Sequence, residues 1–223
     1  MVALMNWQIV EKNLPTLLNG MGLTLFISLL ALVIATVFGF LIALMRTSNQ
    51  PLLRRIAATY NWIVRGLPVM ILLFLLYYSA PFGLKLSAFS AGLLGLTING
   101  SAFIAEIFRS GFRAVDQGQI EAGKALGYRS GQIMWFIKLP AIIKIISPTY
   151  VSNAIALLKE SAQVSVITVP DLMLKASNLY ATTYRTWETL GVAAVLYLIL
   201  CSLFMIAQWL LEKKYNTMGI TVG

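Results

Sequence analysis

From Gly20 to Met45 the chain is an almost unbroken run of Leu, Ile, Val, Phe and Ala without a charged side chain. At a helical rise of about 1.5 Å per residue, that run exceeds the roughly 30 Å hydrocarbon core of a bilayer. It predicts one membrane-spanning helix, long enough to tilt. Further apolar stretches predict spans from about Tyr60 to Ala80, Phe89 to Ile107, Pro140 to Leu158 and Leu190 to Leu211. Five spans put the termini on opposite sides. Between Glu160 and Thr189 the pattern fails, because Val164 to Val169 is apolar but too short to span and Pro170-Asp171 interrupts it. An irregular, partly embedded segment is expected there, which is tolerated only where protein or a water-filled cavity surrounds the backbone. The expected organisation is an extracytoplasmic segment over residues 1–19, one transmembrane domain over 20–211 and a tail over 212–223, with no internal repeat.

Lys and Arg set the orientation, since cytoplasmic loops carry their excess. Arg46, Arg54, Arg55 and Arg65 follow the first span, Arg109, Arg113, Lys124, Arg129 and Lys138 the third, and Lys213 and Lys214 the fifth. The other side holds only Lys12, Lys85 and Arg185, leaving Lys144, Lys159 and Lys175 at or near membrane depth. The N-terminus is therefore expected outside and the C-terminus in the cytoplasm.

Composition agrees with a membrane protein: 59% hydrophobic and 11% charged, against a soluble norm of roughly 45–50% and about 25%. The net charge of +9, which in a soluble domain would suggest nucleic acid, is here a topology signal, and no nucleic-acid partner is expected. The chain has no His and a single cysteine, Cys201. Imidazole metal sites, Ser-His-Asp catalysis and an intrachain disulfide are thereby excluded. Met1 to Gly20, with Glu11, Lys12 and Pro15, lacks the apolar run of a cleaved signal.

The segment Gly118-Gln-Ile-Glu-Ala-Gly-Lys-Ala-Leu-Gly127 nearly matches a nucleotide phosphate loop, G-x-x-x-x-G-K-[ST]. The position that should offer a hydroxyl to magnesium is Ala125, Glu121 would repel phosphate oxygens, and the preceding residues are not a buried strand. A short cytoplasmic helix fits better. Asp116 suits an N-cap, Gln119 stands three residues later as in a capping box, and Gly127 suits the left-handed position beyond a helix end. Gly118, Ala122, Gly123 and Ala125 permit close approach of another backbone, while Glu121 either meets a partner or pairs locally with Lys124. The physical pattern is equally that of a docking helix or of a solvated loop helix.

Glu121-Ala122-Gly123, then Gly127, then Ile137-Lys138-Leu139-Pro140 resembles the E-A-A-x-x-x-G-x(9)-I-x-L-P signature of importer-type ABC permeases. Arg65-Gly66-Leu67-Pro68, Ala105-Glu106-Ile107-Phe108-Arg109-Ser110-Gly111 and Gly118-Gln119-Ile120-Glu121-Ala122 are similar to the polar amino acid subfamily, whose usual forms are R-G-T-P, A-E-I-x-R-G-G and G-Q-x-E-A-A. The resemblance covers the chain from about Asn19 onwards. It implies an all-α integral membrane protein with the type I ABC importer permease fold, in which residues 117–127 form the coupling helix, Glu121 at its centre. It also implies a bacterial cytoplasmic (inner) membrane location and a polar amino acid or related small zwitterion as substrate. No cofactor or catalytic residue is expected on this chain, because ATP and magnesium belong to separate ABC ATPase subunits. A second permease copy or a homologous permease, and an extracytoplasmic solute-binding protein, complete the implied assembly. The chain departs from the family pattern in several places. Gly123 replaces the second Ala, at up to about 1 kcal/mol of helix propensity, Ala141 replaces the Gln of L-P-Q, and Lys159-Glu160-Ser161-Ala162-Gln163 replaces K-D-T-S-L.

Lys159 and Glu160 are expected to avoid lipid, since a charge near the bilayer centre costs about 2.5–3.5 kcal/mol on insertion scales. Glu160 is either a contact for a substrate cation or part of a structural ion pair. Asn153, Ser161 and Gln163 are candidates to orient a zwitterion beside it. Arg65 is either a positive-inside anchor or a gate-lining residue. Asn99 offers a polar group in the third span for helix contact or substrate, and Glu106 with Arg109 forms a local helix pair or an inter-subunit contact. Two rival readings, a secondary transporter or channel subunit and a non-transporting scaffold, need no ATPase. The absence of inverted halves argues against the first and a charge at membrane depth against the second.

Overall fold

The computed structural model describes residues 6–79 and 83–216, apart from the side chains at 211, 212 and 214–216. Among the described residues the regular structure is helical, with no strand. Four helices are long and apolar enough to cross a membrane, or five when one bent pair counts as a single span, in agreement with the expected architecture.

Helix α1 (Trp7–Thr47) carries a stripe of buried residues, including Leu17, Gly20, Thr24, Ile27, Ala31, Ala35, Gly39 and Ala43, spaced by three or four residues. Small side chains on this face admit a neighbour closely: a Cβ on Gly39 would lie 2.8 Å from Ile104 Cγ2, and one on Gly100 would lie 3.2 Å from the Ala35 Cβ. Close backbone approach of this kind drives helix association in lipid, where burial of apolar surface no longer discriminates. The helix begins well before Gly20. Asn6 caps it through its side-chain oxygen, which accepts from the Gln8 backbone N–H at 3.1 Å, so residues 7–19 belong to the same continuous helix as the apolar run.

The second expected span, Tyr60 to Ala80, is two helices. Helix α2 (Pro51–Gly66) and helix α3 (Val69–Tyr78) meet at a 99° bend over Leu67-Pro68; Ala80 lies outside the described residues. Pro68 lacks the N–H that a continuous helix would need and clashes with the preceding turn. Helix α4 (Ala88–Ala114) fulfils the third expected span, with Ser87 as its cap.

After α4 comes α5 (Gln117–Ala125), then the short α6 (Ser130–Ile133), whose course continues through a π-helical turn, Met134–Lys138, into α7 (Leu139–Glu160). A 3₁₀ segment, Ser161–Ile167, and helix α8 (Leu172–Thr183) occupy the region expected to be irregular. Protein surrounds that backbone. Val164, Ile167 and Val169 are fully buried against Ile27 and Ala31 of α1, Leu73 of α3 and Leu96 of α4. Thr24 accepts from the Leu172 backbone N–H at 3.1 Å, and Asp171 caps α8 by accepting from Leu174 N at 2.9 Å. A π-helical turn, Trp187–Gly191, leads into α9 (Val192–Asn216), the last span.

Candidate functional site: a docking helix and a polar face joined by α7

Helix α5 is built from local signals. The Asp116 carboxylate accepts from Gly118 N at 2.9 Å; at the other end Gly127 takes φ +78°, Gly127 N donates to Lys124 O at 2.9 Å and Tyr128 N donates to Gly123 O at 3.0 Å. Those two bonds are the Schellman pattern that closes a helix on a left-handed glycine. The nucleotide-loop pattern is thereby accounted for: Gly123 and Lys124 lie in the last turns of a helix, with no strand before it.

The faces of α5 are sorted. Ile120 and Gly123 are buried toward this chain, whereas Gly118, Gln119, Glu121, Ala122, Lys124 and Ala125 are exposed. Ile120 joins Val115, Phe108, Ile133 and Ile142 in one core. For Ile120, on a helix outside the expected spans, full burial contributes about 1.5–3 kcal/mol. The glycine at 123 has a specific reason: a Cβ there would run into Ile137 Cδ1, so the small residue seats α5 on the π-helical turn of its own chain. Its closeness thus serves an internal contact, and Gly118, Glu121 and Ala122 remain on the exposed side of the helix. Among the described residues Glu121 makes no ion pair with Lys124; both ion pairs converge on Glu106.

At the far end of α7, Glu160 is half-buried and accepts from Asn99 Nδ2 of α4 at 2.8 Å. Lys159 is exposed and does not pair with it among the described residues. Asn99 therefore supplies the donor that, on the ion-pair alternative, a cationic side chain would have supplied. Ser161 differs from expectation too. It is fully buried and its hydroxyl donates to Leu158 O at 2.7 Å, which leaves it turned into the core; Gln163 stays half-buried on the following 3₁₀ turn.

Toward the other end of the same helices, Glu106 is held from three elements. Arg109 of α4 donates at 2.6 Å through Nε and contacts it at 2.5 Å through Nη2; Asn61 of α2 donates at 2.9 Å; Arg46 of α1 lies at 3.4 Å. The local pair expected from sequence exists, and Asn61 and Arg46 extend it into a clamp between α1, α2 and α4. Arg65 stands 5.2 Å above the Phe103 ring. With Asn153 and Glu106 it lines a cavity of about 450 Å³. So the structure gathers Asn99 and Glu160 at one level, Arg65 and Asn153 at another, and leaves Lys159 and Ser161 outside both contacts. Asn61 and Arg46 had no recognisable motif; an amide on the buried stripe of the strongly amphipathic α2 is the signal that could have found the first.

Residues 35–217 match the family described as the binding-protein-dependent transport system inner membrane component. The chain belongs to that family. It is 36% identical over 211 residues to the "Probable amino-acid ABC transporter permease protein YckA" of Bacillus subtilis (strain 168), covering 94% of this chain and 93% of that one. It is 34% identical over 207 residues to the "Arginine transport system permease protein ArtQ" of the same organism, covering 92% and 94%. Among solved structures, that of an amino acid ABC transporter with histidines superposes with a TM-score of 0.86 at 36% identity, covering 94% of this chain and 99% of that one. The MetNI methionine ABC transporter in its inward-facing conformation superposes at 0.71 with 20% identity, a likeness of fold. The chain is a multi-pass membrane permease, a transport subunit; it is not the ATP-hydrolysing chain.

Proposed function

We propose that this chain is the permease subunit of an ATP-driven importer for a polar amino acid or related small zwitterion in a bacterial inner membrane. It works beside a second permease chain, two ABC ATPase subunits that bind ATP and magnesium, and an extracytoplasmic binding protein. Its N-terminus is outside and its C-terminus cytoplasmic. The substrate class is supported by relatives named for amino acid and arginine transport.

One observation carries the coupling. The exposed helix α5 rests through Gly123 on Ile137, Ile137 belongs to the turn that runs into α7, and α7 ends at Glu160. A helix of 22 residues spans about 33 Å, so a displacement of α5 has a continuous helical route to the Asn99–Glu160 pair. At that pair a carboxylate, already half-desolvated and held by a single amide donor, retains lone pairs for a substrate ammonium or guanidinium. Glu121 and Ala122 form the exposed surface that the ATPase grips; Glu160 is the attractive group of the path, with Lys159 and Gln163 at its rim.

The test is uptake in proteoliposomes holding this permease and its ATPase subunits, with the binding protein and labelled protein amino acids outside and ATP trapped inside. Accumulation that requires ATP and the binding protein is expected. Uptake that proceeds equally without ATP would replace the importer with a secondary transporter.

A further inference from the structure

Two polar rungs repeat down the same pair of helices. Asn99 on α4 and Glu160 on α7 form the first, joined at 2.8 Å. Seven residues further along α4 stands Glu106, and seven residues back along α7 stands Asn153. Seven residues make two helical turns, so each step returns to the same face after about 10.5 Å. Because α4 and α7 run antiparallel on the expected topology, both steps descend in the same direction. Glu106 and Asn153 accordingly line one cavity, of about 450 Å³. Amide and carboxylate have exchanged helices between the rungs.

The lower rung is unfilled in a specific way. The Asn153 side-chain oxygen is buried and has no hydrogen-bond partner. Ser110 and Ser152 line the same cavity, and each hydroxyl hydrogen is committed to its own helix, to Ile107 O at 2.8 Å and to Pro148 O at 3.0 Å. Their two oxygens are left as acceptors at the cavity, and the buried, unpartnered Asn153 oxygen becomes a third when its side chain turns outward, matching the three hydrogens of an ammonium group. The opposite charge is provided too. Arg65 lines the cavity from its position over Phe103 and forms no ion pair among the described residues. Glu106, whose carboxylate would otherwise repel an anion, is offset in charge by Arg109 and Arg46 and hydrogen-bonded by Asn61. The volume falls within the roughly 300–1,000 Å³ of small-molecule sites.

We infer that this lower cavity is a second seat for the transported zwitterion, one two-turn step nearer the cytoplasm than Glu160, with Arg65 taking the α-carboxylate and Asn153, Ser110 and Ser152 the α-ammonium. The inference rests on the amino acid importer reading and adds a station to its path. The upper seat selects through a negative group and the lower one through a positive group, so a substrate is passed from an attraction for its cation to an attraction for its anion.

Stoichiometry tests it. The complete transporter, permease with ATPase subunits, is placed in lipid discs of phosphatidylglycerol, whose headgroup carries no amine to compete, and equilibrated with a radiolabelled mixture of the protein amino acids. Two bound amino acids per permease chain are expected for wild type, one after Glu160→Gln and one after Asn153→Leu. A single bound amino acid per wild-type chain, whichever substitution removes it, would overturn the second seat and leave the importer reading standing. No bound amino acid at saturating concentration would remove both. The wild-type count alone separates these outcomes, so neither variant has to fold for the experiment to decide.

Discussion

Helix α5 and the Asn99–Glu160 rung sit at opposite ends of one structural element, and the surroundings impose opposite rules on their charges. On α5 the groups proposed to act are exposed: Glu121 and Ala122 face away from the chain, and burial is reserved for Ile120 and Gly123, which only fix the helix in place. At the rung the group proposed to act, Glu160, is half-buried and accepts from a donor 61 residues away. Charge outside the membrane is hydrated at little cost and is free to meet a partner, whereas charge at membrane depth must be partnered from within the protein. A contact surface can therefore be assembled by one short stretch of sequence, while a transport site needs several helices. The clamp at Glu106 shows the second rule in its strongest form, with donors from α1, α2 and α4 converging on one carboxylate.

The largest effect expected from breaking this contrast is therefore at Glu106. Glu106→Gln leaves Arg46 and Arg109 facing one another without a counter-charge; the cluster is part-buried, so the cost falls between the ~0.2–1 kcal/mol of an exposed pair and the ~3–5 kcal/mol of breaking a buried one. Thermal unfolding of the purified permease should show a marked loss of stability and the membrane should hold less protein. Unchanged stability would mean that solvent already screens the cluster.

Glu160→Gln keeps the shape of the upper rung and removes its charge. Losing one charge-assisted hydrogen bond of about 1.5–3 kcal/mol predicts a roughly ten- to hundredfold weaker apparent affinity for cationic substrate, with basal ATPase rate retained. Uptake kinetics measured at matched membrane abundance check it. Wild-type affinity would mark Glu160 as structural.

On the exposed side, Glu121→Arg should leave insertion and folding intact, because the residue contributes nothing to the core, yet reduce recovery of the ATPase subunits about tenfold, equivalent to about 1.4 kcal/mol. Undiminished recovery in a pull-down would take Glu121 out of the contact.

The smallest effect sharpens the comparison most. Gly123→Ala gains up to about 1 kcal/mol of helix propensity but displaces the end of Ile137, an off-rotamer shift of about 0.5–1.5 kcal/mol, so the two nearly cancel. Transport within twofold of wild type is expected. Gly123→Val, which adds bulk that Ile137 cannot clear, should lower coupled ATPase activity, and Ile137→Ala should restore it. Failure of that rescue would show that Gly123 packs against the partner chain instead.

The sequence by itself determined what depends on neighbours within about one helical turn or on the length of an apolar run. The apolar spans, a helix within 117–127 with its aspartate cap and left-handed Gly127, the misfit of the phosphate-loop pattern and the i,i+3 pair of Glu106 and Arg109 are all of that kind. The packing of distant segments decided the rest. Pro68 marks a break in the sequence, but the 99° bend and the packing of Leu73 of α3 beside Leu96 of α4 are visible only in the fold. Gly123 looked like part of a docking face because spacing cannot say which side of a helix meets its own chain, and Ile137 settled it. Ser161 looked available beside Glu160, yet the 3₁₀ turn that follows α7 carries it into the core. Glu160 found Asn99, and Asn153 came to share a cavity with Arg65, only because α4 and α7 lie side by side. A hydrogen bond is set by distance in space to within a few tenths of an ångström, and hydrophobic periodicity reports a helix's apolar face without reporting which helix will cover it.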